Sequence, residues 1–260
     1  MYHKRLSARF IRVWQRNLIV YAKIWKIVFI PPLLEPIFYL VAFGVGLGVL
    51  VGSMHYEGMD VSYVQFIAPA LLAINIMQNA FFETTYNSFV RMYFQKTYDG
   101  MMATPLSMEE VMTGEIIWAA TKSLIATVIM QGVISFFGLI RYPEGLLILP
   151  IAFLGGLAFA SIGLLFTAMI KGFEMFNLPV FLFVTPMFLF SGTFFPLKNL
   201  PVWAQKIAAV LPLTHLTRLA RDFSLGRISP GLLWSLLYLV LFSVVFFPLA
   251  IHAMRKRMVV

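Results

Sequence analysis

Asn75, Gln78, Asn79 and Glu83 stand at steps of three and four inside an otherwise apolar run. That spacing puts all four side chains on one face of a helix. Polar groups in hydrocarbon are costly, so this face must turn toward protein or water. Two chemistries fit: a hydrophilic path for a polar solute, or hydrogen bonds between neighbouring helices. Glu35, Glu83 and Glu115 fall near the same end of three apolar runs, and Lys122 lies about two helical turns beyond Glu115. A buried ammonium needs a carboxylate, so Lys122 is expected to pair with Glu83 or Glu115. A proton or ion relay would instead need carboxylates deep in several runs, and the middle depth holds almost none.

Bond-breaking chemistry finds little support. With no cysteine, thiolate catalysis, disulfides and cysteine-based metal sites are excluded. His3, His55, His215 and His252 are scattered, and no His-Glu-x-x-His pair occurs. No stretch matches G-x-x-x-x-G-K-[ST], the loop that cradles nucleotide phosphates. The chain is therefore expected to bind no cofactor, and any ATP that drives it must sit on a partner. Tyr39, Phe43, Phe81 and Phe82 could line an apolar or sugar-stacking path, or could simply pack.

The elements that position these residues are membrane helices. Hydrophobic residues make up 60% of the chain and charged residues 12%, about half the charge a soluble surface usually carries. Runs of about 20 apolar residues span a bilayer as helices. Six are expected: about Ile27–Val51, interrupted by Pro31, Pro32 and Pro36; Tyr63–Thr85; Val111–Leu139; Leu146–Ile170; a fifth, bent by Pro179 and Pro186, ending near Gly192; and a sixth opening at Ser229-Pro230. Ser229 reads as its N-cap. Residues 1–26 carry seven Lys or Arg, with Arg5, Arg9, Arg12 and Arg16 on one side and Leu6, Phe10, Val13 and Trp14 largely on another. This is the pattern of an amphipathic helix on a membrane surface, not of a cleavable signal peptide. Gly52–Asp60 reads as a short polar loop, and 193–228 as two short helices, Asn199–Val210 and Leu213–Leu225, parted at Pro212. Gly44, Gly48 and Gly52, and Ala152, Gly156 and Ala160, suit close helix packing, within one chain or between two.

Six spans put both termini on one side. That side carries 13 Lys or Arg against six on the other, so both termini are expected in the cytoplasm. The same side holds Tyr93–Glu110, where Ser107 and Glu110 have capping-box spacing. A helix should begin there. The mixed segment before it can dock on a soluble partner or merely connect two spans.

Ala103-Thr104-Pro105-Leu106-Ser107, with Glu110-Val111-Met112-Thr113-Gly114-Glu115, resembles the ABC-2 family of exporter permeases. The run Phe190 to Trp203, followed by Leu211-Pro212-Leu213-Thr214-His215 and Arg218, is similar to that family's C-terminal signature. The likeness covers essentially the whole chain. It is nearest to the nodulation-factor (lipo-oligosaccharide) exporter branch and is also similar to the polysaccharide exporters.

The resemblance implies one all-α transmembrane domain over 1–260, with six spans, an N-terminal interface helix and two re-entrant helices in 193–228. It implies a permease in the bacterial inner membrane that pairs with a second copy and with two cytoplasmic ATPase chains. ATP and Mg would be bound by those chains, and no nucleic acid is involved. It makes 91–105 the coupling segment, with Arg91, Lys96, Tyr98, Asp99, Gly100, Met101, Thr104 and Pro105 serving it. The implied cargo is an amphiphilic glycan. The rivals are a drug exporter of the same family, a membrane-embedded transferase and an ion-coupled carrier.

Overall fold

The computed structural model describes residues 7–258. Lys4, Arg5 and Leu6 of the surface helix, and His3, lie outside the described residues. Among the described residues, five helices are long and apolar enough to cross a membrane. The chain runs α1 (Phe10–Lys23), α2 (Trp25–Val51), β1 (Ser53–Tyr56), β2 (Met59–Ser62), α3 (Tyr63–Phe94), α4 (Thr97–Met102), α5 (Met108–Phe136) and α6 (Glu144–Met169). It continues through α7 (Glu174–Phe190), α8 (Val202–Val210), α9 (Pro212–Ser224) and α10 (Gly231–Met258). The long ones are α2, α3, α5, α6 and α10, and α7 is a shorter apolar helix.

The bundle is centred on α3. Its apolar window is 78% buried, against 12% for α2, so α2 keeps most of its surface for lipid or another chain. Small residues let the central helices close up. A Cβ on Gly163 of α6 would fall 2.7 Å from the carbonyl oxygen of Phe81 and would overlap the Thr84 hydroxyl. One on Gly156 would lie 2.8 Å from Ala120 Cα. The Ala152–Gly156–Ala160 stripe therefore packs within the chain. The other stripe is looser: Gly44 meets Val64, and nothing stands within 4 Å of Gly52.

Capping boxes form at the heads of α3 and α5, the second at the spacing read from the sequence. Gln65 N donates to Ser62 Oγ, and Glu110 N donates to Ser107 Oγ at 3.3 Å while Ser107 N donates back to Glu110 Oε2 at 2.8 Å. At the head of α10 the expectation fails. The helix begins at Gly231, Leu232 N bonds the Ser229 carbonyl, and the buried Ser229 hydroxyl has no partner among the described residues. Ser229 caps through its backbone, not its side chain.

Two further expectations are corrected. Gly52–Asp60 is not a plain loop but the start of an antiparallel hairpin, with Ser53 opposite Ser62 and Tyr56 opposite Met59. Glu57 (φ +48°) and Gly58 (φ +88°) make its two-residue turn, the left-handed geometry that matches strand twist. Tyr56 and Val61 bury themselves against Phe66 and Leu225. The second span does not end near Thr85. Its helix runs on to Phe94 through wide π-helical turns at Glu83–Asn87 and Val90–Phe94, where Glu83 and Arg91 are satisfied by each other and by side chains of α5. Lys96 (φ +52°) then breaks the direction.

α1 lies across the start of α5. A Cβ on Gly114 would stand 2.6 Å from Val13 Cβ and 2.9 Å from the Phe10 carbonyl. Trp14 Nε1 donates to Thr121 Oγ1 at 3.0 Å, and Arg9 donates to the Pro105 carbonyl at 2.8 Å. The far end of α10 returns to this same end of the bundle, where Arg255 meets Glu109 at 3.1 Å. The hairpin, α8 and α9 occupy the opposite end, and α7 leads from one end to the other through a π-helical turn between Pro179 and Pro186.

Gly163→Ala is expected to lower the thermal midpoint of the detergent-solubilised protein by several degrees, since overpacking costs about 1–3 kcal/mol. Gly132→Ala has nothing within 4 Å of the new methyl and should leave the midpoint unchanged or slightly raised, because alanine favours helix. Circular dichroism against temperature checks the pair.

Candidate functional site

The polar residues of α3 and α5 meet at the α1 end of the bundle. Glu83 is 3% exposed, so its carboxylate has left water and must be compensated in place. Arg91, two turns along the same helix, donates to Glu83 Oε1 at 2.8 Å. Lys122 Nζ of α5 stands 2.6 Å from Glu83 Oε2. Asn87 Nδ2 (2.7 Å) and Trp118 Nε1 (3.1 Å) add two neutral donors. Glu115 is fully buried and takes the second guanidinium nitrogen of Arg91 at 2.6 Å. Asn17 of α1 donates to it at 2.8 Å and the Tyr98 hydroxyl of α4 at 3.1 Å. Two carboxylates and two cations thus form a neutral, hydrogen-bonded network across four helices.

Of the two partners expected for Lys122, the geometry pairs it with Glu83; Glu115 goes to Arg91. Tyr98 is fully buried, and burial together with the adjacent Glu115 carboxylate pushes its hydroxyl well above the usual phenol range. It therefore stays protonated and donates. A cavity of about 250 Å³, bordered by Arg16, Tyr21 and Lys122, opens beside the network.

The residues of 91–105 divide into two groups. Arg91 and Tyr98 point inward and anchor the segment. Lys96, Asp99, Gly100, Thr104 and Pro105 are exposed, and Met101 is half-buried. Higher on α3, Asn75 Nδ2 reaches Glu35 Oε2 of α2 at 3.3 Å, and Asn79 bonds the Asn75 carbonyl at 3.0 Å. Asn75 thus joins α3 to α2 within the chain, the bonds of Asn79 stay within α3, and Gln78 is half-buried beside them. Tyr39 stacks on Phe43, which meets Phe194 at 5.9 Å. Phe81 is enclosed by Phe166 and Phe183, whereas Phe82 is 38% exposed.

Asn17, Asn87, Trp118 and Ser88, whose hydroxyl donates to Glu115 at 3.4 Å, belong to the network although nothing singled them out in the sequence. Asn87 and Arg91 do follow Glu83 at four and eight, and Trp118 and Lys122 are four apart, so spacing could have found these. Asn17 is brought in only by the docking of α1.

At the opposite end Arg221 is 4% exposed and spends its hydrogens on carbonyls, those of Phe66 (2.9 Å), Gly192 (3.0 Å) and Thr193 (3.4 Å). Its guanidinium lies 3.6 Å over the Phe66 ring. The Tyr56 hydroxyl donates to Asp222 at 3.0 Å, and burial is the main cause that pushes it up to about 12. Glu57 is held below the usual carboxylate range: burial pushes it up, but Lys198 at 3.4 Å and Arg227 at 3.6 Å outweigh that.

A family model described as "ABC-2 type transporter" matches residues 8–223. The chain is 34% identical over 248 residues to "Nodulation protein J" of Sinorhizobium fredii (strain NBRC 101917 / NGR234), covering 95% of this chain and 93% of that protein. It is 36% identical over 246 residues to the protein of the same name from Rhizobium leguminosarum bv. viciae, with the same coverage. It is 24% identical over 235 residues to "Inner membrane transport permease YadH" of Escherichia coli (strain K12), covering 90% of each.

Glu83→Gln should be among the most damaging single changes to stability, because it leaves Arg91 and Lys122 over-supplied with charge; losing one partner of a buried pair costs about 3–5 kcal/mol. Lys122→Met should cost less, since Arg91 still holds Glu83. The double variant should be more stable than Glu83→Gln alone. Thermal unfolding of all four proteins in detergent measures the coupling, and additive losses would refute it.

Proposed function

The chain belongs to the ABC-2 type transporter family, and from that premise we propose that it is the membrane-spanning permease subunit of an ATP-driven exporter, moving a lipid-linked oligosaccharide or polysaccharide across the inner membrane. The family's subunits transport and do not catalyse. Glu83 and Glu115 are held by cations and donors, which leaves them poorly suited to act as a transferase's acid and base.

The observation that carries the reading is the anchoring of 91–105. A partner ATPase that closes on the exposed Lys96, Asp99, Gly100 and Thr104 would push α4. Tyr98 and Arg91 would pass that push to Glu115 of α5 and Glu83 of α3, because the bonds between them are short and buried. Two permease chains and two ATPase chains form the working unit, with the weakly buried α2 available for contact with the second copy. The export route lies between the copies.

In this reading α7 is the fifth of six crossings, since it connects the two ends of the bundle, and α8 and α9 are the re-entrant pair. The excess of Lys and Arg at the α1 end supports cytoplasmic termini. The glycan cargo is supported by the likeness to the nodulation proteins. A drug or another apolar amphiphile is the second reading. It is favoured by an apolar groove of about 800 Å³ between α6, α9 and α10, lined by Leu154, Leu219, Phe223 and Leu236.

The test is co-purification with a co-expressed ABC ATPase. Lys96→Glu combined with Asp99→Arg should reduce the recovered ATPase at least tenfold while leaving the permease's own unfolding temperature unchanged, since both side chains are exposed. Tyr98→Ala should instead destabilise the permease itself. An ATPase that stays bound to the charge-reversed protein would remove the coupling role from this segment.

A further inference from the structure

A second polar cavity, about 320 Å³, lies at the hairpin end between the β-turn, the chain before α8, α9 and the first turns of α10. It takes no part in the network or in the coupling segment. Its walls carry the cations Lys198, Arg218 and Arg221 against the single carboxylate of Glu57. That carboxylate is already shared between Lys198 and Arg227. The nearby Asp222 is engaged by Tyr56.

The two arginines are left with charge to spare. Arg221 bonds three carbonyls, which satisfy its hydrogens but not its charge. Among the described residues Arg218 has no carboxylate within ion-pair distance and feels Glu57 and Asp222 only at longer range. Its guanidinium lies against Gly231, where a Cβ would stand 2.5 Å from Nη2. Gly231 is the first residue of a 28-residue helix, so a cation rests on the positive end of a helix dipole, an arrangement that favours an anion beside it. Two hydroxyls on the same walls, Ser191 Oγ and Thr214 Oγ1, are 1% and 7% exposed as residues and have no hydrogen-bond partner among the described residues. On the rim, Trp234 is 66% exposed and offers an indole face. His215 is not free for chemistry, being bonded to Ser235 and the Ala209 carbonyl and stacked on Tyr238 at 4.0 Å.

We propose that this cavity binds an anionic head group, a phosphate ester of a sugar or of glycerol, with the phosphate between Arg218 and Lys198. The volume suits one such head, at the small end of ligand pockets. The site stands whichever way the chain is oriented, and it does not rest on the export reading.

The test uses the purified full chain in a polyoxyethylene detergent and isothermal titration with glucose 1-phosphate, glycerol 3-phosphate, inorganic phosphate, dihexanoyl phosphatidylglycerol and dihexanoyl phosphatidylcholine. Saturable binding of the phosphate monoesters, weakened at least tenfold in Arg218→Gln and unchanged in Lys206→Gln, which removes an equal charge from the exposed face of α8, is the expected result. Lys198→Gln, a change at an exposed side chain, should weaken binding as well, and covers the case in which Arg218→Gln fails to fold. Saturable binding of phosphatidylglycerol alone, with the same variant pattern, assigns the head to a lipid. No saturable binding by any anionic probe, equal binding by all variants, or equal binding of phosphatidylcholine overturns the proposal.

Discussion

Two carboxylates and two cations that have left water near one end of a membrane bundle have few ways to exist. Each ion costs several kcal/mol to bury, and only close, well-hydrogen-bonded partners repay it. Glu83, Glu115, Arg91 and Lys122 meet that condition together and not in isolated pairs: Arg91 bridges both carboxylates, and Lys122 completes the neutrality. The remaining lone pairs are taken by Asn17, Asn87, Trp118 and Tyr98. The arrangement requires α1, α3, α4 and α5 at once. The docking of the surface helix, the wide turns of α3 and the burial of Tyr98 all depend on it.

The same constraint links stability to transmission. A connector held only by its ends would absorb a push by bending. In the proposed coupling a push would enter at exposed residues and leave through a buried phenol and a buried guanidinium. The lever is short, and the elements it moves are the two most central to the core. Gly114 allows α1 to press against α5 beside it, so the surface helix is fastened to the same unit and not to the lipid alone.

How far the sequence reveals this depends on the kind of signal. Apolar length gave the long helices, and a local rule gave the cap at Ser107, because these depend on neighbours in the chain; the same spacing at Ser62 and Gln65 went unread. The hairpin was legible too, since Glu57-Gly58 sits between alternating residues, but a polar, glycine-containing stretch between spans reads first as a loop. The continuation of α3 past Thr85 was hidden. Its polar residues look like an exit from the membrane until their partners on other helices are known. For the same reason the inward turn of Tyr98 and Arg91, within the segment that the resemblance makes the coupling segment, was not legible. Spacing could place Lys122 near two carboxylates; only the tertiary contacts made by Arg91 choose between them.

The two ends of the bundle handle charge in opposite ways, and the contrast is itself informative. At the α1 end Glu83, Glu115, Arg91 and Lys122 each have an opposite charge within 3 Å, and the network they form is neutral. At the hairpin end Arg221 is buried against carbonyls and an aromatic face, Arg218 rests on a helix start, and hydroxyls remain unpaired. A protein that can build the first arrangement does not leave the second incomplete for want of acidic residues, since Asp222 stands next to Arg221 and is turned to Tyr56 instead. The end that must hold itself together is internally neutralised. The end that keeps positive charge and free hydroxyls is arranged to receive its counter-charge from outside the chain.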